Sequence, residues 1–323
     1  MKKITSMLLI LVMLLGVFTL TSCKAGALKF GLGVYSTVSS TDATEDKVGE
    51  GKATVTIAAV LLNKRGEIVK AAVDCAESTV QYDMDGKAHK PTEFRTKYEQ
   101  GAGYGMVAMG GAKNEWFEQA NAFCEAAVGK TADELKALVA TDGKGTEEVI
   151  NAGCTIVVSE FVKALEAAIE NATESEATKD AKLEIGVSTT ATPVDATDDR
   201  DGSSKVESSI FAAALDKDGA VIAAAVDCVE QSFSFDKSGK STTKAKGEIL
   251  SKGQMGDDYG MAKEPDDFEW YEQANAFCQV CLGKTATQIS GLVGAGGKGN
   301  ADVQGAGCTI VVTGFVKAAV KIA

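Results

Sequence analysis

The chain has 323 residues, a formal net charge of −12, and 3 prolines against 34 glycines. So acidic a chain is a poor partner for nucleic acid or anionic lipid, because phosphate binding needs clustered Lys and Arg. Hydrophobic residues make up 45% of it, enough for roughly two ordinary domains, which excludes a disordered protein.

Lys2 and Lys3 precede an apolar run from Met7 to Phe18, and Leu20-Thr21-Ser22 sets small residues ahead of Cys23. The run is too short to cross a bilayer and reads as a secretion signal over 1–22. Its ending resembles the bacterial lipobox, which implies cleavage before Cys23 and a lipid on its sulfur. Residues 23–26 then tether the chain to the outer face of a bacterial membrane.

Beyond residue 26 the sequence repeats itself. "AAVDC" at 71–75 returns at 224–228, and "YGM" at 104–106 returns at 259–261. "AGCTIVVSEFVKA" at 152–164 returns as "AGCTIVVTGFVKA" at 306–318, with 11 of 13 positions identical. Two units are too few for a solenoid, and each is long enough for its own core. The repeat predicts tandem homologous domains over 27–172 and 183–323, joined by a linker at 173–182 that falls in and just past the polar "NATESEATKDA" of 171–181.

In chain order, each copy opens on Gly33-Val34-Tyr35 or Gly186-Val187. Next come two β-rich runs around a Gly-ended turn, "ATVTIAAVLLNKRGEIVKAAVDC" and "SIFAAALDKDGAVIAAAVDC". "TVQYDMDG" and "SFSFDKSG" predict a separate third strand. A Gly-rich loop with Tyr-Gly-Met leads into a helix on which Trp116, Ala120, Phe123 and Ala127 share a face, leaving Glu118, Gln119, Glu272 and Gln273 to solvent. Thr131 to Glu134 and Thr285 to Gln288 are capping boxes, and a last helix starts near Phe161 or Phe315. The class is α+β, each copy an antiparallel sheet covered by helices.

His89 is the only histidine, so neither a Ser-His-Asp relay nor a His-rich metal site can belong to both copies. "GKT" at 129–131 and 283–285 lacks the glycine of a phosphate loop, which removes nucleotide hydrolysis. Cys75, Cys124 and Cys154 recur as Cys228, Cys278 and Cys308, and their small apolar neighbours read as core. Cys281 is extra and makes a C-x-x-C pair with Cys278, a possible redox pair. Tyr104-Gly105 and Tyr259-Gly260 offer an aromatic ring beside backbone that a ligand can approach closely. Asp74 and Asp227, at strand ends, offer acceptors to a ligand or to a turn.

Gly153-Cys154-Thr155 and Gly307-Cys308-Thr309, each ahead of a closing helix, resemble the end of the FMN-binding domain family of Rnf and Nqr electron-transfer subunits and surface flavoproteins. The resemblance implies FMN as cofactor, held near Thr155, Thr309, Gly153, Gly307, Tyr104, Tyr259, Gly105 and Gly260, and a membrane redox partner. Ala152 and Ala306 stand in place of the motif serine, and Val149 and Val303 in place of its acidic residue, which speaks against covalent attachment. Two functions are open: flavin-based extracytoplasmic electron transfer, or a non-enzymatic envelope lipoprotein that binds a small ligand or protein partner. Either makes the chain a carrier or binder more than a catalyst.

Overall fold

The computed structural model describes residues 26–91, 94–244, 247–264 and 267–322. The signal segment and Cys23 lie outside the described residues. The fold is mixed α+β, built on two antiparallel sheets. In the first half, β1 (Lys29–Thr41), β2 (Gly49–Leu62) and β3 (Ile68–Tyr82) form a meander, edged by β4 (Ala88–His89). Helices α1 (Lys97–Gln100), α2 (Trp116–Ala127), α3 (Ala132–Lys136), α4 (Glu147–Asn151) and α5 (Ser159–Glu170) come after the sheet. The short β5 (Thr173–Glu174) pairs with the start of β1. The second half repeats the order with β6 (Lys182–Val194), β7 (Gly202–Leu215), β8 (Val221–Phe235), α6 (Lys252–Met255), α7 (Trp270–Cys281), α8 (Ala286–Ser290), α9 (Ala301–Gly305) and α10 (Thr313–Val320). Among the described residues no helix is long and apolar enough to cross a membrane.

The middle strands explain the layering. On β2, Ala58, Val60 and Leu62 point to the helices, while Val55, Ile57, Ala59 and Leu61 point the other way. Successive side chains of a strand alternate faces, so a strand apolar on both is covered on both. The inner faces of the two sheets meet in one core, where Ile57 and Leu61 join Ile210, Ala212 and Ala214. The order is therefore helices, sheet, sheet, helices. Helix α5 lies unusually close to β1, because a Cβ on Gly33 would sit 2.1 Å from the Ala164 carbonyl oxygen, and one on Gly31 1.9 Å from that of Ala168. A Cβ on Gly186 would likewise stand 2.0 Å from the Ala318 carbonyl oxygen.

Contacts between the halves are reciprocal, as around a two-fold axis. The Ala43 N–H donates to Gly239 O at 2.7 Å, and the Ala196 N–H donates to Gly86 O at 2.8 Å. The segment 173–182 contributes to this join. Ala177 and Ala181 are buried in the shared core, and Lys70 Nζ donates to Ala181 O.

The strand count differs from expectation. "TVQYDMDG" is not a third strand but the end of β3, which runs unbroken from Ile68 to Tyr82; the corresponding segment ends β8. No glycine or proline interrupts "AAVDCAESTVQY", so nothing stops the extended chain at Cys75. The capping boxes at Thr131 and Thr285 form as expected.

Candidate functional site

The outer face of β2 changes character halfway along. Ala58, Val60 and Leu62 lie under helices, whereas on the same face Thr56 meets only the first turn of α5 and Lys52 and Thr54 lie beyond it, all three polar. With Glu77 and Cys75, their neighbours on β3, they floor a cavity of about 340 Å³. On β7 the face likewise passes from Lys205, Glu207 and Ser209 to Phe211, Ala213 and Leu215. There, Glu207, Ser209 and Cys228 line a cavity of about 440 Å³. The two cavities occupy equivalent places in the two halves.

A lysine enters each from the short helix after the sheet. Lys97 Nζ lies 3.4 Å from Glu77 Oε2, and Lys52 Nζ 2.8 Å from Glu77 Oε1. Lys252 and Lys205 hold Glu230 at 2.7 and 2.5 Å. Only 16% of the Lys97 side chain and 12% of that of Lys252 is exposed. Lys97 lies 5.4 Å from the Tyr104 ring centroid and 5.9 Å from that of Trp116, distances that Lys252 repeats with Tyr259 and Trp270. Such cation–ring contacts strengthen when desolvated.

Burial opposes the charge of Lys97, but the facing Cys75, Glu77 and Tyr104 outweigh it and raise its pKa. Burial likewise works against ionised Glu77, and Lys52 and Lys97 overcome it and hold the carboxyl below the usual range. Burial pushes the Cys75 thiol up to about 12 against the pull of Lys97, and Cys228 up to about 12 as well. At neutral pH these lysines are ammonium, these glutamates carboxylate, and these thiols protonated. None of the three is poised to pass a proton or attack a carbon, which suits holding a ligand better than transforming it.

Asp74 and Asp227 sit behind the lysines and position them. Asp74 accepts from the Cys75 and Tyr98 N–H groups at 2.7 and 3.1 Å, and so anchors the first turn of α1. Asp227 accepts from the Gly253 N–H at 2.9 Å and from the Ser251 hydroxyl. Burial raises the carboxyl of Asp74 to about 6, against the hydrogen bonds it receives, and raises that of Asp227 also.

The aromatic wall comes from the Tyr-Gly-Met loops. Tyr104, Met106 and Trp116 line the first cavity, and Tyr259, Met261 and Trp270 the second. Gly105 (φ 83°) and Gly260 (φ 68°) take the left-handed turn that aims the next two N–H groups at one carboxylate. Glu115 receives those of Met106 and Val107 at 2.9 and 3.1 Å, and Glu269 those of Met261 and Ala262 at 3.0 Å each. Sequence reasoning missed Glu115 and Glu269, and also the lysines and glutamates of the floor. Their signal was available: polar residues two apart, repeated at the same places in both halves.

Gly153-Cys154-Thr155 packs against α2. Gly153 (φ 109°) turns the chain, Cys154 is fully buried, and Thr155 donates both its N–H and its hydroxyl to Gln119 Oε1, at 2.8 and 3.0 Å. Gly307 (φ 99°), Cys308, Thr309 and Gln273 repeat this at 2.8 and 2.9 Å. Gln119 and Gln273 are therefore buried, 1% and 6% exposed, and not solvated as expected. They sit beside the apolar stripe of their helix, where the amide is satisfied by the loop it holds. Thr309 lines its cavity; Thr155 lies at the surface beside the first.

Cys278 and Cys281 are buried in the core of the second half, with thiols raised by burial, Cys281 to about 12. A thiol so placed exchanges poorly, since the thiolate is the reactive form. Comparison of the chain with protein-family models, with curated proteins and with solved structures finds no match.

Proposed function

We propose that the chain is a lipid-anchored envelope protein that binds a small, partly aromatic ligand in each of two equivalent cavities and does not transform it. One observation carries the reading: in both halves a buried lysine, held with a second lysine on one glutamate, lines a cavity together with Tyr, Met and Trp, as Lys97, Tyr104, Met106 and Trp116 in the first and Lys252, Tyr259, Met261 and Trp270 in the second. A cluster that served packing alone would not need a desolvated lysine, Lys97 or Lys252, at the cavity wall. Volumes of about 340 and 440 Å³ fall at the small end for ligand pockets. The two halves are read as homologous copies of one unit, anchored through Cys23.

Flavin is the second reading, favoured by the single wall that Tyr104, Met106 and Trp116 form. Against it, the donors that the resemblance offers to a phosphate, the N–H and hydroxyl of Thr155 and Thr309, are already given to Gln119 and Gln273. The residues do not fit covalent FMN at these threonines.

Native mass spectrometry and an absorption spectrum of the chain purified from its own host test both. A small molecule released on denaturation, and lost from a Lys97→Met, Lys252→Met variant that stays folded, supports the first reading. Flavin absorbance carried by the chain would replace it with the second. A chain that carries nothing and is stabilised by no small aromatic acid, amine or alcohol overturns both.

A further inference from the structure

The outer edges of β1 and β6, equivalent strands of the two halves, are treated differently. Lys29 pairs with Leu62 on β2 as Lys182 pairs with Leu215 on β7, so the strands correspond residue by residue. In an antiparallel strand the backbone groups of alternate residues point to the same edge. On β1 these residues are engaged. The Leu28 N–H donates to Ala177 O at 2.8 Å, and Phe30 pairs with Thr173 of β5. Leu32 O, Val34 O and Ser36 O accept from Asn171 Nδ2, Gln254 Nε2 and the Ile249 N–H.

On β6 the corresponding residues are Ala181, Leu183, Ile185, Val187 and Thr189. Lys70 Nζ takes the Ala181 carbonyl at 2.7 Å. From Leu183 to Thr189, among the described residues, no group bonds the outer edge, and Glu99, at the place of Gln254, has no N–H to offer it. Exposure follows the same division. Phe30 and Leu32 are 4% and 6% exposed, whereas Leu183 and Ile185 are only half-buried. With Lys70, Tyr98 and Lys182 they line a groove of about 290 Å³ between β3 and β6. Unpaired N–H and C=O groups flanked by apolar side chains are a template for one more strand. Pro193 removes the N–H at the far end of β6, which confines the template to the stretch from Leu183.

The chain itself shows what such an edge accepts. On β1 it lays down Thr173-Glu174-Ser175-Glu176-Ala177, with Glu174 3.8 Å from Lys29 and Ala177 buried in the shared core. Lys182 holds the place of Lys29 and is 69% exposed even with Glu184 at 2.8 Å. We propose that the open edge of β6 binds an extended, acidic, small-residue segment of a partner protein, which pairs with Leu183 and Ile185 as an added strand and sets a carboxylate against Lys182. The groove shares no lining residue with the two cavities, so this surface stands whatever they hold.

A fluorescein-labelled peptide of residues 172–178, ATESEAT, is titrated against the full chain by anisotropy, beside ATKSKAT, in which both glutamates are reversed. The acidic peptide is expected to bind and the basic one not. Hydrogen exchange with the acidic peptide bound should slow at the Leu183 and Ile185 amides and stay unchanged at Leu28 and Phe30. Lys182→Glu should weaken the acidic peptide about fivefold, the scale of an exposed ion pair. Leu183→Pro, which deletes an edge N–H, should weaken it about tenfold or more. If Leu183→Pro fails to fold, Lys182→Glu and the exchange pattern still decide. Equal binding of both peptides, no binding of either, or slowed exchange at Leu28 and Phe30 instead (the peptide replacing β5) overturns the proposal. A chain that sediments as a dimer, with Leu183 and Ile185 already protected, overturns it in favour of a second copy on this edge.

Discussion

Tyr82 and Phe235 lie 153 residues apart and stack with ring centroids 4.2 Å apart and planes 4° from parallel. Each ends the last long strand of its half, and each is fully buried where the two sheets meet. Phe235→Ala should destabilise the chain by about 3–5 kcal/mol, because the emptied space is walled by both sheets and cannot collapse freely. Tyr82→Phe should cost only about 1 kcal/mol, the hydroxyl's hydrogen bond to Thr41 O at 2.7 Å. Urea unfolding of both variants checks the ranking; equal costs would contradict it.

Gly33→Ala should be far worse than Gly66→Ala. At Gly33 the new methyl meets the Ala164 carbonyl oxygen at 2.1 Å and the Ala168 nitrogen at 2.2 Å, so α5 must lift off the sheet. Overpacking of this kind costs about 3 kcal/mol. At Gly66 nothing lies within 4 Å and only the left-handed turn resists, about 1 kcal/mol. Thermal melting of the two variants measures the difference.

The pH dependence of stability should carry the mark of Asp74. Its carboxyl ionises at about 6 in the folded chain and at 3.8 when unfolded, so the folded chain keeps an extra proton between those values. Stability therefore falls as pH rises from about 4 to 6 and is level above, a penalty of about 3 kcal/mol from this group. Asp74→Asn, which can still accept from the Tyr98 N–H, should flatten that window relative to the unsubstituted chain. Asp227 is raised in the same direction and should leave a residual slope in the variant. Denaturant midpoints at pH 4, 5, 6 and 7 provide the test.

Thr155→Val should cost about 1 kcal/mol, since its backbone N–H keeps Gln119. Gln119→Leu should cost about 2–3 kcal/mol, because it strips both Thr155 donors of their acceptor and unpins the loop from α2. Chemical denaturation of the pair, repeated at Thr309 and Gln273, distinguishes a packing role from a cofactor role. A Thr155 variant that loses a bound chromophore without losing stability would favour the cofactor.

Thiol reagents at pH 8 should not label the seven cysteines of the described residues until the chain unfolds, since all are buried. Cys281→Ala should leave that behaviour unchanged. Rapid native labelling of Cys278 or Cys281 would revive a redox role.

Much of this architecture is legible in the sequence, and the parts that are not have a physical cause. The α+β class, the helix with Trp116, Ala120, Phe123 and Ala127 inward, and the capping boxes come from spacings that local geometry sets. The packing of sheet on sheet is signalled by "TIAAVLL" and "IFAAAL", apolar at consecutive positions where a one-sided strand alternates. The cavity is harder, because Lys52, Thr54 and Thr56 look like any solvated strand face until it is known that α5 begins over Thr56 and leaves the rest of the row uncovered. The fate of Thr155 is beyond local reasoning, for its partner Gln119 is 36 residues away on another element.

The hydrogen bonds Ala43 to Gly239 and Ala196 to Gly86 are the same bond made twice, once from each side. A surface that is its own partner needs only one sequence, so a chain of one half could close this sandwich as a dimer. Joining the halves frees each position to change alone. Gln231 shows the use of that freedom, reaching the carbonyls of Thr37 and Thr54 where its counterpart is the shorter Ser78. The two cavities could come to differ, with Glu160 at one and Gly314 at the other, only because the pair is written out in full.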